Sequence, residues 1–179
     1  YKNNLIETSK NIIQSFSENF QYQFTKYDIS GLEKIELKFV EDKLQNYIGS
    51  SIFLLPLDQI NHLIKENNWV KEIYLNTNYK DTLFIRVEEY NPIGIYLFNE
   101  KYFVFDENGK IIDQIYITDF TNQSLLIFKG KSSNLKANAL INILKNNDFE
   151  KKYQIESLEF INKRRWDIIL YSDVKLMLS

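Results

Sequence analysis

No cysteine occurs in the chain, which excludes disulfides, thiolate metal ligands and thiol nucleophiles. Histidine occurs once, at His62, with no cysteine or second histidine at ligand spacing, and a zinc centre needs three or four convergent ligands. The same shortage leaves no recognisable serine nucleophile beside a histidine base. Glycine is scarce, five residues scattered singly along the chain, so no glycine-rich loop is available to cradle a phosphate. Basic charge is short as well: 22 Lys and Arg stand against 24 Asp and Glu, giving a net charge of −2. They form no basic stripe of the kind that phosphate-backbone binding requires, so nucleic acid is not an expected partner. The longest apolar run, Ile52-Phe53-Leu54-Leu55-Pro56-Leu57, is far shorter than the roughly 20 residues of a membrane-spanning helix.

What is present is a folding composition, 44 % apolar and 26 % charged over 179 residues, enough for one generous domain or two small ones. Leu5, Ile6, Ser9, Ile12, Ile13, Phe16 and Phe20 recur at helical spacing. Residues 1–20 are therefore predicted as an amphipathic helix, either a lid packed on the following sheet or a juxtamembrane helix. Phe20, Tyr22 and Phe24 then alternate with polar residues, which places a half-buried strand over 21–29, before the turn at Ser30-Gly31. Val40, Leu44, Tyr47 and Ile48 mark a helix ending at Gly49. Leu57, Ile60, Leu63 and Ile64 mark a second, with Asp58 as its N-cap. Strands follow over 72–76 and 82–88, the latter with Leu83, Ile85 and Val87 on one face and Phe84, Arg86 and Glu88 on the other.

Asn91-Pro92 cannot continue a ladder, because proline has no N–H to donate, and a domain boundary belongs there. Beyond it the pattern predicts strands over 93–98 and 101–105, a hairpin at Asp106-Glu107-Asn108-Gly109, and strands over 110–117 and 125–128. Leu135, Ala139, Leu140, Ile143 and Leu144 mark a helix with Asn134 as N-cap. Strands over 155–161 and 166–171 follow, and Ser172-Asp173 turns the chain into a last one over 174–178. The fold class is α+β: a helix over 1–20, a β-α-α-β-β domain over 21–90, and a mostly antiparallel β domain with one helix over 91–179.

Side-chain chemistry offers little for catalysis. Glu88 and Glu89 are strand neighbours, so they point to opposite faces and cannot act as a pair. Asp106, Asn108 and Gly109 lack the rest of a calcium-loop pattern and read as a hairpin turn. The basic cluster Lys163-Arg164-Arg165-Trp166 is either a solvated strand end or a partner contact, Arg and Trp being enriched at interface hot spots. No catalytic residue, cofactor or metal is expected. Sheet edges, which recruit strands, are what the pattern does offer.

The landmarks recur in a known order. Asn68-Trp69-Val70-Lys71 follows the second helix, and Asp81-Thr82-Leu83-Phe84-Ile85-Arg86-Val87-Glu88-Glu89 leads to Asn91-Pro92. Then come Asp106 to Gly109, Phe128-Lys129-Gly130 before a helix, and Arg164-Arg165-Trp166-Asp167. In this order the chain resembles the FtsQ/DivIB family of bacterial cell-division proteins, with Trp69, Val70, Leu83, Glu88, Pro92, Asp106 and Gly109 as its structural motif. The turn with Thr77, Tyr79 and Lys80 matches only in part. The resemblance implies that residues 21–90 form a POTRA domain and residues 91–179 an FtsQ-type β domain. It further implies a non-enzymatic divisome scaffold, anchored by a single transmembrane helix in the bacterial inner membrane with this region in the periplasm. That scaffold would link early and late division proteins and contribute to control of septal peptidoglycan synthesis. The implied partners are the periplasmic segments of FtsB and FtsL, bound by β-strand addition, and Arg164, Arg165, Trp166, Val174, Leu176 and Leu178 are the candidate contact residues. The chain opens on Tyr1 rather than Met and stops at Ser179, so a membrane segment before it and further strands after it are expected. The alternative is a POTRA-bearing protein transport or outer-membrane assembly factor.

Overall fold

A computed structural model describes residues 2–19, 21–116, 118, 125–172 and 174–178. Phe20, Ile117, Asp173 and Ser179, which enter the sequence reading, lie outside the described residues. The chain divides into two compact units, Tyr1–Glu89 and Tyr90–Ser179.

The first unit contains helix α1 (Lys2–Asn19), strand β1 (Lys26–Ser30), helices α2 (Leu37–Leu44) and α3 (Leu57–Ile64), and strands β2 (Val70–Thr77) and β3 (Thr82–Glu89). β3 is central in the order β1-β3-β2, parallel to β1 and antiparallel to β2. The period-two reading of β3 is reproduced: Leu83, Ile85 and Val87 are buried, while Phe84, Arg86 and Glu88 face out. They join Phe24, Val40, Leu44, Ile60 and Ile64 in one core, so the two short helices cover one face of the sheet.

Several expected boundaries move. The first strand begins at Lys26 rather than 21, because the backbone before it is used elsewhere. Phe24 exchanges hydrogen bonds with the 49–50 turn, and Thr25 and Lys26 both donate to the Asp81 carbonyl. The N-cap position of α3 is Pro56, and Asp58 lies inside the first turn, where its charge favours the helix dipole. The apolar stripe of α1 is not a lid on the sheet, since Leu5 and Ile12 remain about two-thirds exposed. α1 docks instead through its last turns: the Phe16 ring stacks on that of Tyr22 at 6.1 Å, Ser17 Oγ meets Ser51 Oγ at 2.6 Å, and the Ser51 amide donates to Gln14 Oε1 at 2.8 Å.

Glu89 has a role that its place beside Glu88 does not reveal. Its carboxylate accepts from the amides of Glu33, Lys34 and Ile35 at 2.9, 2.8 and 3.0 Å, closing the loop between β1 and α2 onto the end of β3. Hydrogen bonds to a charged acceptor are the stronger kind, so Glu89→Ala is expected to cost about 1–2 kcal/mol in urea unfolding of this unit. Glu89→Gln should cost less, because one oxygen still accepts.

The second unit contains β4 (Gly94–Phe98), β5 (Lys101–Phe105), β6 (Ile111–Ile115), β7 (Ile127–Lys129), α4 (Asn134–Asn146), a single turn α5 (Phe149–Lys152), β8 (Ile155–Ile161), β9 (Arg165–Leu170) and β10 (Lys175–Leu178). Its seven-stranded sheet has the order β10-β9-β8-β7-β4-β5-β6. Only the pairings of β7, with β4 and with β8, are parallel; the rest are antiparallel. A parallel strand needs a crossover, which α4 provides between β7 and β8. α4 buries Ala137, Leu140, Ile141 and Leu144, while Leu135 and Ile143 of the expected stripe stay exposed, so its inward face is rotated from the predicted one. Ser133, not Asn134, holds the N-cap position. The Asn134 side-chain Nδ2 donates instead to the Gly109 carbonyl at 2.7 Å.

The hairpin from Asp106 to Gly109 follows from its own turn chemistry. Asp106 Oδ1 accepts from the amides of Asn108 and Lys110 at 2.9 and 2.8 Å, so the carboxylate completes the turn. Gly109 has φ +78°, and a β-carbon there would fall 2.8 Å from Leu135 Cα, so glycine is required by conformation and by the approach of α4.

Candidate functional site

A sheet with two ends leaves two rows of backbone groups unpaired, and natural edges are usually blunted by charge, proline or a covering element. β10 forms one end of the seven-stranded sheet, and among the described residues no strand pairs with its outer side. Its register on β9 is antiparallel: Lys175 opposes Ile169, Leu176 opposes Ile168, Met177 opposes Asp167 and Leu178 opposes Trp166.

The ladder determines which groups the edge offers. The Leu170 amide donates to the Val174 carbonyl at 3.0 Å, which makes 170 and 174 a hydrogen-bonded pair. Such pairs alternate along an antiparallel ladder, so Leu176 and Leu178 direct their amides and carbonyls inward to β9. Lys175 and Met177 direct theirs outward, to the open side. The edge is also apolar, with Val174 46 %, Met177 66 % and Leu178 37 % exposed.

The two faces of β10 differ. Leu176 shares a face with Ile168 and packs against the core of the unit, beside Trp166. Trp166 is half-buried, its ring 4.7 Å from that of Phe160 and 5.8 Å edge-on to that of Phe128. On the opposite face Asp167 is fully buried. Its Oδ1 lies 3.1 Å from Arg165 Nε and its Oδ2 2.9 Å from Lys175 Nζ. Lys175 also approaches Glu159 Oε2 at 3.5 Å.

The structure therefore gathers Val174, Leu176 and Leu178 at one edge. Arg164 is exposed in the turn between β8 and β9, where Asn162 and Lys163 both have positive φ, and Arg165 is engaged with Asp167. Lys175, Met177 and Asp167 were not singled out by sequence reasoning, because the register that turns backbone groups outward is invisible without the neighbouring strand. Of the motif residues, Val70 and Leu83 are buried and Trp69 packs half-buried against the same core, its amide donating to Asn67 Oδ1 at 3.0 Å. Glu88 stands outward at 3.7 Å from Arg86, and Pro92 lies in the segment between β3 and β4. His62 is an exposed residue of α3. No group of His, Asp and Glu among the described residues is arranged to hold a metal ion.

The family model described as POTRA domain, FtsQ-type, matches residues 25–90, and the model for the C-terminal region of cell division protein FtsQ/DivIB matches residues 96–179. The chain belongs to the FtsQ/DivIB family of cell-division proteins. It is 31 % identical over 173 residues to the cell division protein FtsQ of Rickettsia bellii, covering 94 % of this chain and 61 % of that protein. It is 30 % identical over 155 residues to FtsQ of Rickettsia conorii, covering 84 % and 55 %. Similarity extends to the cell division protein DivIB of Macrococcus caseolyticus, 27 % identical over 150 residues, covering 79 % and 49 %. The chain thus spans between about half and three-fifths of the length of these FtsQ/DivIB relatives. Among its described residues, no helix is long and apolar enough to cross a membrane.

Proposed function

We propose that this FtsQ/DivIB protein is a non-enzymatic scaffold of the divisome that binds the periplasmic segments of FtsB and FtsL by strand addition at β10, contributing to control of septal peptidoglycan synthesis. The observation that supports this reading is the side of β10 that no described strand covers, with the backbone groups of Lys175 and Met177 turned outward and apolar side chains beside them. Backbone pairing supplies affinity in such a complex, and side chains at alternate positions supply selectivity. Arg164, exposed at the β8–β9 turn, is suited to acidic residues of the partner and would act on association rate more than on affinity. In the same reading the protein is held in the inner membrane by a single transmembrane helix, with this region in the periplasm. Residues 1–20 lie near the membrane, residues 21–90 form the POTRA domain, and residues 91–179 present the binding edge.

Titration calorimetry with the periplasmic segments of FtsB and FtsL tests the assignment, using this chain and a form extended past Ser179. Saturable binding, with new amide protection at Lys175 and Met177, is the expected result. Absence of binding by both forms would overturn it.

A further inference from the structure

The turn between β2 and β3, where the family landmarks match only in part, carries Tyr79 with φ 55°. Left-handed backbone strains a residue with a bulky side chain and suits glycine or asparagine. The other described non-glycine residues with positive φ are polar, and Tyr79 alone is aromatic. Burial of the ring does not account for it, since Tyr79 is 66 % exposed. A turn selected for folding alone would place glycine there.

The side chains around Tyr79 hold the strained turn closed. Asn78 Oδ1 accepts from the amides of Lys80, Asp81 and Thr82 at 2.9, 3.0 and 3.0 Å, and Asn78 Nδ2 donates to Asp81 Oδ1 at 3.0 Å. The Asp81 carboxylate also accepts from the Thr82 hydroxyl at 2.7 Å and from Lys26 Nζ at 2.9 Å. Its carbonyl takes the amides of Thr25 and Lys26, which ties the tip to the start of β1. Asn78 foremost, with Thr82 and Lys26, holds the Asp81 carboxyl well below the usual carboxylate range. Such strain persists only where the surroundings over-determine it, and it gathers where a side chain is presented for use. A tyrosine ordered in advance on a fixed turn loses little freedom when it meets a partner.

We propose that Tyr79 is an anchor by which the first unit engages another protein, its ring entering an apolar pocket that offers a carboxylate to Lys80 at the rim. This goes beyond the strand-addition reading and does not rest on β10. Charge selects the rim. Asp81 is engaged by Lys26, whereas Lys80 is exposed and makes no ion pair among the described residues, so the unpaired charge at the tip is positive. Tyrosine is among the residue types that dominate interface energetics. A bilayer is the poorer fit, because Thr77, Asn78, Lys80 and Asp81 surround the single ring with polar groups and leave no apolar face to insert.

The test places Tyr79→Asn, Tyr79→Gly, Tyr79→Phe and Lys80→Glu in the full-length protein as the sole copy in dividing cells, and in this chain for thermal unfolding. Tyr79→Asn and Tyr79→Gly remove the ring and relieve the strain. Either should leave the melting temperature unchanged or raise it by a few degrees, Tyr79→Asn more surely because glycine also frees the unfolded chain. In cells the same two variants are expected to lower recruitment to division septa by about tenfold, and Lys80→Glu by less, while Tyr79→Phe retains it. A residue that serves only the fold would not gain stability while losing recruitment. Unchanged recruitment of Tyr79→Asn and Tyr79→Gly overturns the proposal, as does a lowered melting temperature in both. Photoreactive benzoylphenylalanine in place of Tyr79 decides without reference to division. A protein adduct that Lys80→Glu diminishes is expected; no adduct, an adduct to lipid, or one indifferent to Lys80→Glu overturns the assignment. Failure of the unsubstituted protein to reach septa would count against the scaffold reading instead, and the crosslink then decides on Tyr79 alone.

Discussion

Met177→Pro is expected to abolish or severely weaken FtsB binding while leaving the stability of the second unit nearly unchanged. Proline removes one backbone N–H and fixes φ, and it is tolerated on an edge strand when the lost N–H faces away from the ladder. The hydrogen-bonded pairing of Leu170 with Val174 sets the alternation that puts the Met177 amide on the open side, so β10 keeps its bonds to β9. A partner strand would lose one hydrogen bond and meet the pyrrolidine ring where it needs to approach. The combined loss is about 1–3 kcal/mol, or about 5–150-fold in Kd. Leu176→Pro is the contrasting variant. The Leu176 amide faces β9, and its loss together with the half-buried side chain should detach β10 and lower stability as well as binding. Calorimetric titration beside thermal unfolding separates the two patterns. Equal binding by Met177→Pro and the unsubstituted chain would show that the partner does not pair with this edge.

Phe128→Ala is expected to have the largest effect on stability. Phe128 is fully buried on β7, the strand with parallel neighbours on both sides, and its ring meets Phe105 edge-on at 5.4 Å and Trp166 at 5.8 Å. Removing it takes away apolar contact and leaves a cavity bounded by rings that cannot collapse freely, a loss of about 3–5 kcal/mol. For a unit of this size the melting temperature should fall by about 15–25 °C. Hydrogen exchange would place the loss: β4, β7, β8 and β9 should lose protection, while Leu83, Ile85 and Val87 of the first unit keep theirs, because Phe128 belongs to a separate core. Loss of protection in both units together would show that they unfold as one.

The two variants also mark which features could be read before the fold was known. β3 was legible because burial of one sheet face imposes a period of two on its side chains, and the turn at Asp106 because aspartate and glycine complete it with their own groups. Where backbone pairing competes with side-chain pattern, the reading slipped. Tyr22 and Phe24 alternate as in a strand, yet their backbone bonds the 49–52 segment, so β1 starts later. The stripe on α1 is genuinely amphipathic, but only Phe16 of it stacks on the unit, and Gln14 and Ser17 add the polar contacts that dock the helix. Glu89, which the strand pattern only sets on the face opposite Glu88, is the acceptor that closes a loop 54 to 56 positions away.

Hydrophobic period, turn residues and the ordered landmarks from Trp69 to Asp167 were sufficient for the α+β class, the succession of elements and the FtsQ/DivIB family, because each is a local property of the chain. The insertion of β7 between β4 and β8, the place of β10 at the end of the described strands and the outward turn of Lys175 and Met177 required the folded sheet. Strand order and register arise from backbone groups, which are the same in every residue but proline, and they are chosen by side chains far apart in sequence. Asp167 is the clearest instance: next to Trp166 it reads as one more letter of a motif, and only with Lys175 and Glu159 brought alongside does its buried charge acquire a purpose.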